Sequence, residues 1–300
     1  MLRQAFRRSF STTTTVRTLS ANNTPSLTVP LSYTKYPASQ EDHSIHNAPL
    51  IVCHGLFGSK QNWRSLGRGM SSRLRRDVYT LDMRNHGESP HAELHTYDAM
   101  ANDLIAFMEK HKIENPILLG HSMGGKVVMT TALQHPHLVK KLVVVDIAPF
   151  SLPLSNDFAS YIDAMRTIDQ ANVKKQSEAD QLLQQIEPDM GIRMFLLTNL
   201  KRQPDGHYKF RIPYDILGKA LGNMGDFTNI ASTVSYPGPT QFIAGGKSNY
   251  CKPLKQYPDQ VKAMFPNYRL DVVEGAGHWV HAENPDVFMK YLIDFVGQKD

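Results

Sequence analysis

No aspartate or glutamate occurs before Glu41 in this 300-residue chain, cysteine occurs only twice, and no uninterrupted apolar run approaches the length of a membrane-spanning helix. Each absence excludes something. Cys53 and Cys251 are too few and too far apart for a disulfide framework, and they suit a reducing compartment. Without a long apolar run the chain has no transmembrane segment and reads as soluble. The formal charge is +5, but Arg3, Arg7, Arg8 and Arg17 account for four of the 33 basic residues, which leaves 29 against 28 acids. A nearly neutral body lacks the clustered cations that phosphate backbones require, so a nucleic-acid partner is excluded. There is no internal repeat.

The acid-free opening "MLRQAFRRSFSTTTTVRTLS" is rich in arginine, serine and threonine, the composition of a mitochondrial transit peptide. As a helix it would carry Leu2, Phe6 and Phe10 on one side and Arg3 and Arg7 one turn apart on another. "RSFSTTTTVR" also resembles a two-step matrix-processing site. Residues 1–20 are therefore expected to direct the protein to the mitochondrial matrix.

With 41% hydrophobic residues, the remainder can bury one large core. "PLIVCHG" (49–55), "DVYTLD" (77–82), "PILLG" (116–120) and "KLVVVD" (141–146) are short apolar runs that predict buried parallel strands. Between them, 96–111 and 123–136 have helical spacing, with Ala99, Leu104, Phe107 and Met108 on one face. Strand and helix alternate, which predicts an α/β protein with helices on both sides of the sheet. From 151 to 236 helical stretches succeed one another, and the Ser177 to Asp180 spacing suits a helix start. Strand-like segments return at 240–246 and 268–275, and a helix closes the chain at 283–296. The expected organisation is an N-terminal strand region at 21–48, a core formed by 49–150 and 237–300, and a helical lid at 151–236.

"GHSMGGKVV" (120–128) fits two incompatible patterns. Gly120, Gly125 and Lys126 match a phosphate-cradling loop, whereas Gly120, Ser122 and Gly124 match the nucleophile elbow G-x-S-x-G. The first pattern requires Ser or Thr after the lysine to place a hydroxyl on Mg²⁺, and Val127 has none, so an NTPase is disfavoured. In the second, a sharp strand-to-helix turn projects the Ser122 hydroxyl, and the new helix aims free N–H groups at the site.

A serine nucleophile needs a base, a group that orients the base, and donors for the developing oxyanion. "HGLFG" (54–58) suits the donors. The backbone N–H groups of Leu56 and Met123 are the candidates, with Phe57 as the substitute. His278 ends a predicted strand in the glycine-rich "VEGAGHWVHAENP" and is the candidate base. His281 reads as a helix-start residue and His121 as packing. The loop after "TQFIA" offers Ser248 and Asn249 but no carboxylate, so Asp146, at the end of "KLVVVD", is the candidate acid. Asp82 reads as a turn former.

Taken together, "HGLFGSKQNW", "LDMRNHGESPH", "GHSMGGK", "VVVDIAPF", "FLLTNL" and "GAGHWVHAENP" resemble the α/β-hydrolase fold. More narrowly, they resemble the group of α/β-hydrolase domain-containing protein 11 and the fungal mitochondrial ethanol acetyltransferases, and the likeness spans about 49–297. It implies a mostly parallel central sheet flanked by helices, with a helical lid inserted after the sixth strand. It also implies a triad of Ser122, Asp146 and His278. Some relatives draw the acid from the region between the sixth strand and the last, which leaves Asp226 or another lid acid as the alternative.

The implied chemistry is that of a serine esterase or thioesterase acting on small acyl esters or thioesters, acyl-CoA among them, with no cofactor or metal. Water is the acceptor, or an alcohol in an O-acyltransferase. "VVVDIAPF" resembles the hydrolase members more. Phe57, Phe158, Tyr161, Met165, Phe195, Leu196 and Trp279 are expected to shape the acyl pocket. A catalytically silent scaffold usually lacks a triad residue, whereas Ser122 and His278 are both present. Epoxide or haloalkane hydrolysis needs a carboxylate nucleophile in place of Ser122.

Overall fold

The computed structural model describes residues 28–38, 47–155, 157–227 and 234–298. The expected targeting segment, residues 1–20, lies outside them. Seven strands form the main sheet: β1 (Tyr33–Tyr36), β2 (Leu50–Cys53), β3 (Val78–Leu81), β4 (Ile117–His121), β5 (Lys141–Val145), and, after a two-stranded hairpin of β6 (Leu200–Arg202) and β7 (Tyr208–Phe210), β8 (Thr240–Gly245) and β9 (Tyr268–Val273). Their spatial order is β1-β3-β2-β4-β5-β8-β9. β1 runs antiparallel to β3 and every other pairing in this sheet is parallel.

The side-chain period of two divides the strands between two cores. Ile51, Cys53, Leu142 and Val144 join one, and Leu50, Val52, Val143 and Val145 the other. Because both faces are covered, β2, β3 and β5 are buried at every position, which is why they read as unbroken apolar runs.

α1 (Arg64–Leu74) packs on one face, while α2 (Tyr97–Lys110) and α3 (Met123–Gln134) pack on the other. α2 starts where the Thr96 side chain accepts from the Ala99 N–H, satisfying one of the free donors of the first turn. Ala99, Leu104, Phe107 and Met108 are all buried on its inner side.

Between β5 and β8 the chain inserts α4 (Asp157–Ala171), α5 (Gln176–Gln184), α6 (Met190–Leu197), the β6–β7 hairpin and α7 (Tyr214–Gly225). Two expectations need correcting here. The insertion is not purely helical, since Leu200 to Arg202 pairs with Tyr208 to Phe210 across a turn containing Gly206 at φ 89°. It follows β5, the fifth strand among the described residues. Ser177 also lies inside α5, which begins at Gln176; Glu178 accepts from the Lys174 N–H at 2.9 Å, and Asp180 accepts from Arg193 at 2.8 Å.

After β8 come α8 (Cys251–Gln256) and α9 (Pro258–Met264). After β9 come α10 (Val280–Glu283) and α11 (Pro285–Val296), and α11 packs beside α1.

Candidate active site

β4 ends at His121 and α3 begins at Met123, so the direction change falls on Ser122, at φ 53° and ψ −116°. A positive φ costs free energy for a non-glycine residue and persists where the surroundings over-determine it. Here the Ser122 N–H donates to the Val145 carbonyl at 3.0 Å and the Ser122 carbonyl accepts from the Lys126 N–H at 3.1 Å. The turn closes only because two neighbours lack side chains. A Cβ on Gly120 would stand 2.1 Å from the Gly124 carbonyl oxygen, and one on Gly124 would stand 2.3 Å from that of Cys53.

The turn aims Ser122 Oγ at His278, whose Nε2 is 3.1 Å away. On the other side of the ring, Nδ1 lies 2.7 Å from Asp146 Oδ2. Since a carboxylate only accepts, Nδ1 carries the hydrogen and Nε2 is free to accept from the serine hydroxyl. Asp146 is fully buried just beyond β5 at φ 48°. Its charge is met by the Gly245 N–H at 2.8 Å and the Ser248 hydroxyl at 2.5 Å. Ser248 occupies the loop that lacked a carboxylate and donates to one arriving from β5. Asp226 lies elsewhere, accepting from Ser151 Oγ at 2.5 Å and from the Phe227 N–H.

Among the described residues, the N–H groups of Leu56 and Met123 meet no acceptor, and both residues line the cavity that contains Ser122. The substitute donor fails: the Phe57 N–H is taken by His86 Nε2 at 3.1 Å, with Phe57 itself at φ 62°. The Phe57 carbonyl accepts from Asn199 of the insertion at 2.7 Å. Asp82 does more than form a turn. It accepts from the Lys60 N–H at 2.7 Å, the Lys60 ammonium at 2.6 Å and the Glu88 N–H at 2.9 Å, tying the 54–60 loop to the 82–88 loop.

Five histidines are buried around this framework. His54 Nε2 accepts from the Met83 N–H at 3.0 Å, and His86 donates from Nδ1 to the Arg84 carbonyl at 2.9 Å. His121 donates to the carbonyl of His278 at 2.9 Å, so it holds the base's loop as well as packing. His281 stacks on Trp63, with centroids 4.3 Å apart and planes 8° from parallel. Burial disfavours the imidazolium: it lowers His54, takes His86 and His121 well below the usual value, and pushes His95 down to about 4 and His281 to about 3.

The cavity at Ser122 measures about 20 Å³, room for roughly one water. Of the expected pocket residues, Phe158 lines it. Phe57 packs behind Phe158 with centroids 6.0 Å apart, and Tyr161 sits 6.2 Å from Phe158 and donates its hydroxyl to Glu187. Met165 and Leu196 are core residues without access to the cavity, and Phe195 rests on Trp279 at 6.0 Å, which in turn lies 5.4 Å from His278. The walls the sequence did not reveal are Tyr97, Lys126, Ile147, Leu152, Leu154, Met224 and Tyr250. Only Ile147 carried a signal, as the neighbour of Asp146.

Lys126 is no phosphate ligand in this arrangement. Its ammonium donates to the carbonyls of Met224, Gly225 and Asp226 at 3.2, 3.0 and 3.2 Å. Among the described residues no group of three or more His, Cys, Asp or Glu side chains could hold a metal ion.

Residues 48–285 match the alpha/beta hydrolase fold family. The chain is 38% identical to the sn-1-specific diacylglycerol lipase ABHD11 of Xenopus laevis over 93% of its own length and 88% of that protein's. It is 37% identical to a probable alcohol acetyltransferase of Saccharomyces cerevisiae, over 83% of this chain and 77% of that one. A solved marine microorganism esterase superposes with a TM-score of 0.80 at 35% identity, over 89% of this chain and all of the other.

Proposed function

The chain belongs to the alpha/beta hydrolase fold family, and from that premise we propose that it is a serine hydrolase cleaving carboxylic esters or thioesters through an acyl-serine intermediate. Ser122 Oγ attacks the acyl carbon as its proton passes to His278 Nε2. Negative charge develops on the carbonyl oxygen, where the N–H groups of Leu56 and Met123 receive it. His278 then gives the proton to the departing alcohol or thiol. Water enters, loses a proton to the same nitrogen, and releases the acid and free Ser122. Asp146 stays ionised throughout and stabilises the imidazolium.

The observation that carries this reading is the chain Ser122 Oγ, His278 Nε2 at 3.1 Å, and His278 Nδ1 to Asp146 at 2.7 Å. Its test is the intact mass of the protein after treatment with a fluorophosphonate. A single adduct on wild type and none on Ser122→Ala is expected. No adduct on a folded wild type sinks the reading.

A second reading is favoured by the likeness to a probable alcohol acetyltransferase: an alcohol replaces water in the second half-reaction and an ester is formed from acyl-CoA. Incubation with acetyl-CoA and ethanol separates the two, since transfer yields ethyl acetate and hydrolysis yields acetate. The insertion serves as the lid, because Leu152, Leu154, Phe158 and Met224 all come from it and all line the cavity. The composition of residues 1–20 supports a mitochondrial matrix location, which import of the full chain against a chain lacking those residues tests.

A further inference from the structure

Lys126 lies four residues beyond Ser122, in the first turns of α3, and its side chain is almost wholly buried. An ammonium has three hydrogens and cannot be left unpaired in a protein interior. All three are used on consecutive carbonyls at the end of α7: Met224 at 3.2 Å, Gly225 at 3.0 Å and Asp226 at 3.2 Å. A helix C-terminus carries partial negative charge and unsatisfied carbonyls, so it is matched to a cation. The rings of Tyr97 and Phe227 flank the ammonium at 5.5 and 5.9 Å.

The same carbonyls organise the other end of the insertion. Gly225 also accepts from the Leu152 N–H at 2.8 Å, and Met224 also accepts from the Tyr97 hydroxyl at 2.8 Å. One cation therefore reaches both stems of the insertion, the outgoing one through Leu152 and the returning one through Met224. The side chains of those two residues are walls of the cavity beside Ser122. That cavity, at about 20 Å³, admits about one water-sized occupant. An acyl group seated beside Ser122 runs along these walls, and two of those that come from the insertion, Leu152 and Met224, are tied to Lys126.

We infer that Lys126 is a positioning residue that sets the acyl-length limit of the enzyme, by fastening both stems of the insertion to the nucleophile's helix so that Leu152 and Met224 close the acyl cavity. The inference rests on the ester-hydrolase reading. It assigns Lys126 no contact with the reacting atoms.

The test compares wild type, Lys126→Met and Tyr97→Phe on p-nitrophenyl acetate, butyrate and octanoate, each enzyme first shown to be folded. Methionine fills a similar volume but donates nothing, and Tyr97→Phe removes one bond to Met224 while leaving the lysine intact. Wild type is expected to prefer the shortest ester. In Lys126→Met the ratio of kcat/KM for octanoate over acetate is expected to rise about tenfold or more, the change that a few newly accommodated methylenes bring, mostly through KM. Tyr97→Phe moves the ratio the same way by less, and remains informative if Lys126→Met does not fold. Superimposable chain-length profiles in folded variants that still take a fluorophosphonate on Ser122 overturn the inference alone. A folded wild type inert toward all three esters and toward the fluorophosphonate overturns the hydrolase reading, and the inference with it.

Discussion

Asp146 was legible as the candidate acid by elimination, because the loop after β8 offers no carboxylate; what the sequence could not reveal is that Ser248 and the Gly245 N–H converge on the same carboxylate. Asp146→Asn keeps the shape but removes the charge and disturbs the imidazole tautomer, so kcat is expected to fall by about three to four orders of magnitude. Steady-state kinetics on a p-nitrophenyl ester checks it; near-normal turnover moves the role elsewhere. Ser248 supplies a sharper test. Adding Ser248→Asp to Asp146→Asn puts a carboxylate on the side chain that now touches Asp146 Oδ2, the atom facing His278 Nδ1, and is expected to recover about tenfold to a hundredfold of the lost rate. Failure to recover would mean that the loop cannot bring an acid to the ring. Pocket residues were the poorly legible part. Phe195 and Met165 share a helical insertion with Phe158, but only Phe158 faces the cavity, and no periodicity tells which side of a fully packed helix meets a cavity.

At the level of elements, the long apolar strands and α2, α3 and α11 were plain, while α1 and the hairpin were not. α1 reads "RSLGRGMSSRL"; two glycines and three serines hide its only apolar spacing, Leu66, Met70 and Leu74. Its Gly67 is needed for contact, since a Cβ there would come within 2.5 Å of the Tyr36 ring. β6 and β7 are too short and too polar to show alternation.

The end of α6 has a functional tie that local pattern also conceals: Asn199, fully buried, donates to the Phe57 carbonyl. Asn199→Ala strands that carbonyl at a cost of about 1–3 kcal/mol and loosens the loop holding Leu56. Slower fluorophosphonate labelling with a lower Tm is the expected outcome, and unchanged labelling would separate the insertion from the oxyanion loop.

The clamp on α7 has a thermodynamic signature of its own. Burial brings the Lys126 pKa down to about 8, so below that pH the folded state holds a cation that water would solvate better, at about 3 kcal/mol. That cost is relieved as pH rises from about 8 toward the unfolded value, because the native lysine then sheds its proton first. Lys126→Met is therefore expected to match or exceed wild-type Tm at pH 7, with the advantage shrinking by pH 10. A large loss of stability at pH 7 would show that the clamp holds the fold as well as the cavity.

The molecule as a whole carries an acid sensitivity written in its interior. His86, His95, His121 and His281 are held neutral by burial, whereas in the unfolded chain each protonates near pH 6.5. Their folded pKa values lie below the unfolded one, so the unfolded state binds more protons in that window. Stability is therefore full above about pH 6.5 and falls as the pH drops toward the depressed values, by up to about 1.4 kcal/mol per pH unit for each histidine. Thermal melts from pH 7.5 to pH 4.5 are expected to show a steep decline. A flat profile would mean that the histidines take up their protons within the fold. Loss of the Phe57 tie is expected only at the acid end of the decline, because His86 keeps Nε2 bare to accept from the Phe57 N–H until well below the usual imidazole range.

The chain has two tryptophans, and the structure has given them opposite optical fates. Trp63 is sealed in the core face to face with an imidazole that stays neutral to about pH 3, so its emission is a steady background through ordinary buffers. Trp279 lies against both the His278 imidazole and Phe195 of the insertion, and imidazolium quenches indole emission. Light emitted on excitation near the red edge of indole absorption thus reports proton arrival at His278 and displacement of α6 in real time. The enzyme carries its own dye, placed where a stopped-flow instrument can follow a single turnover without a label.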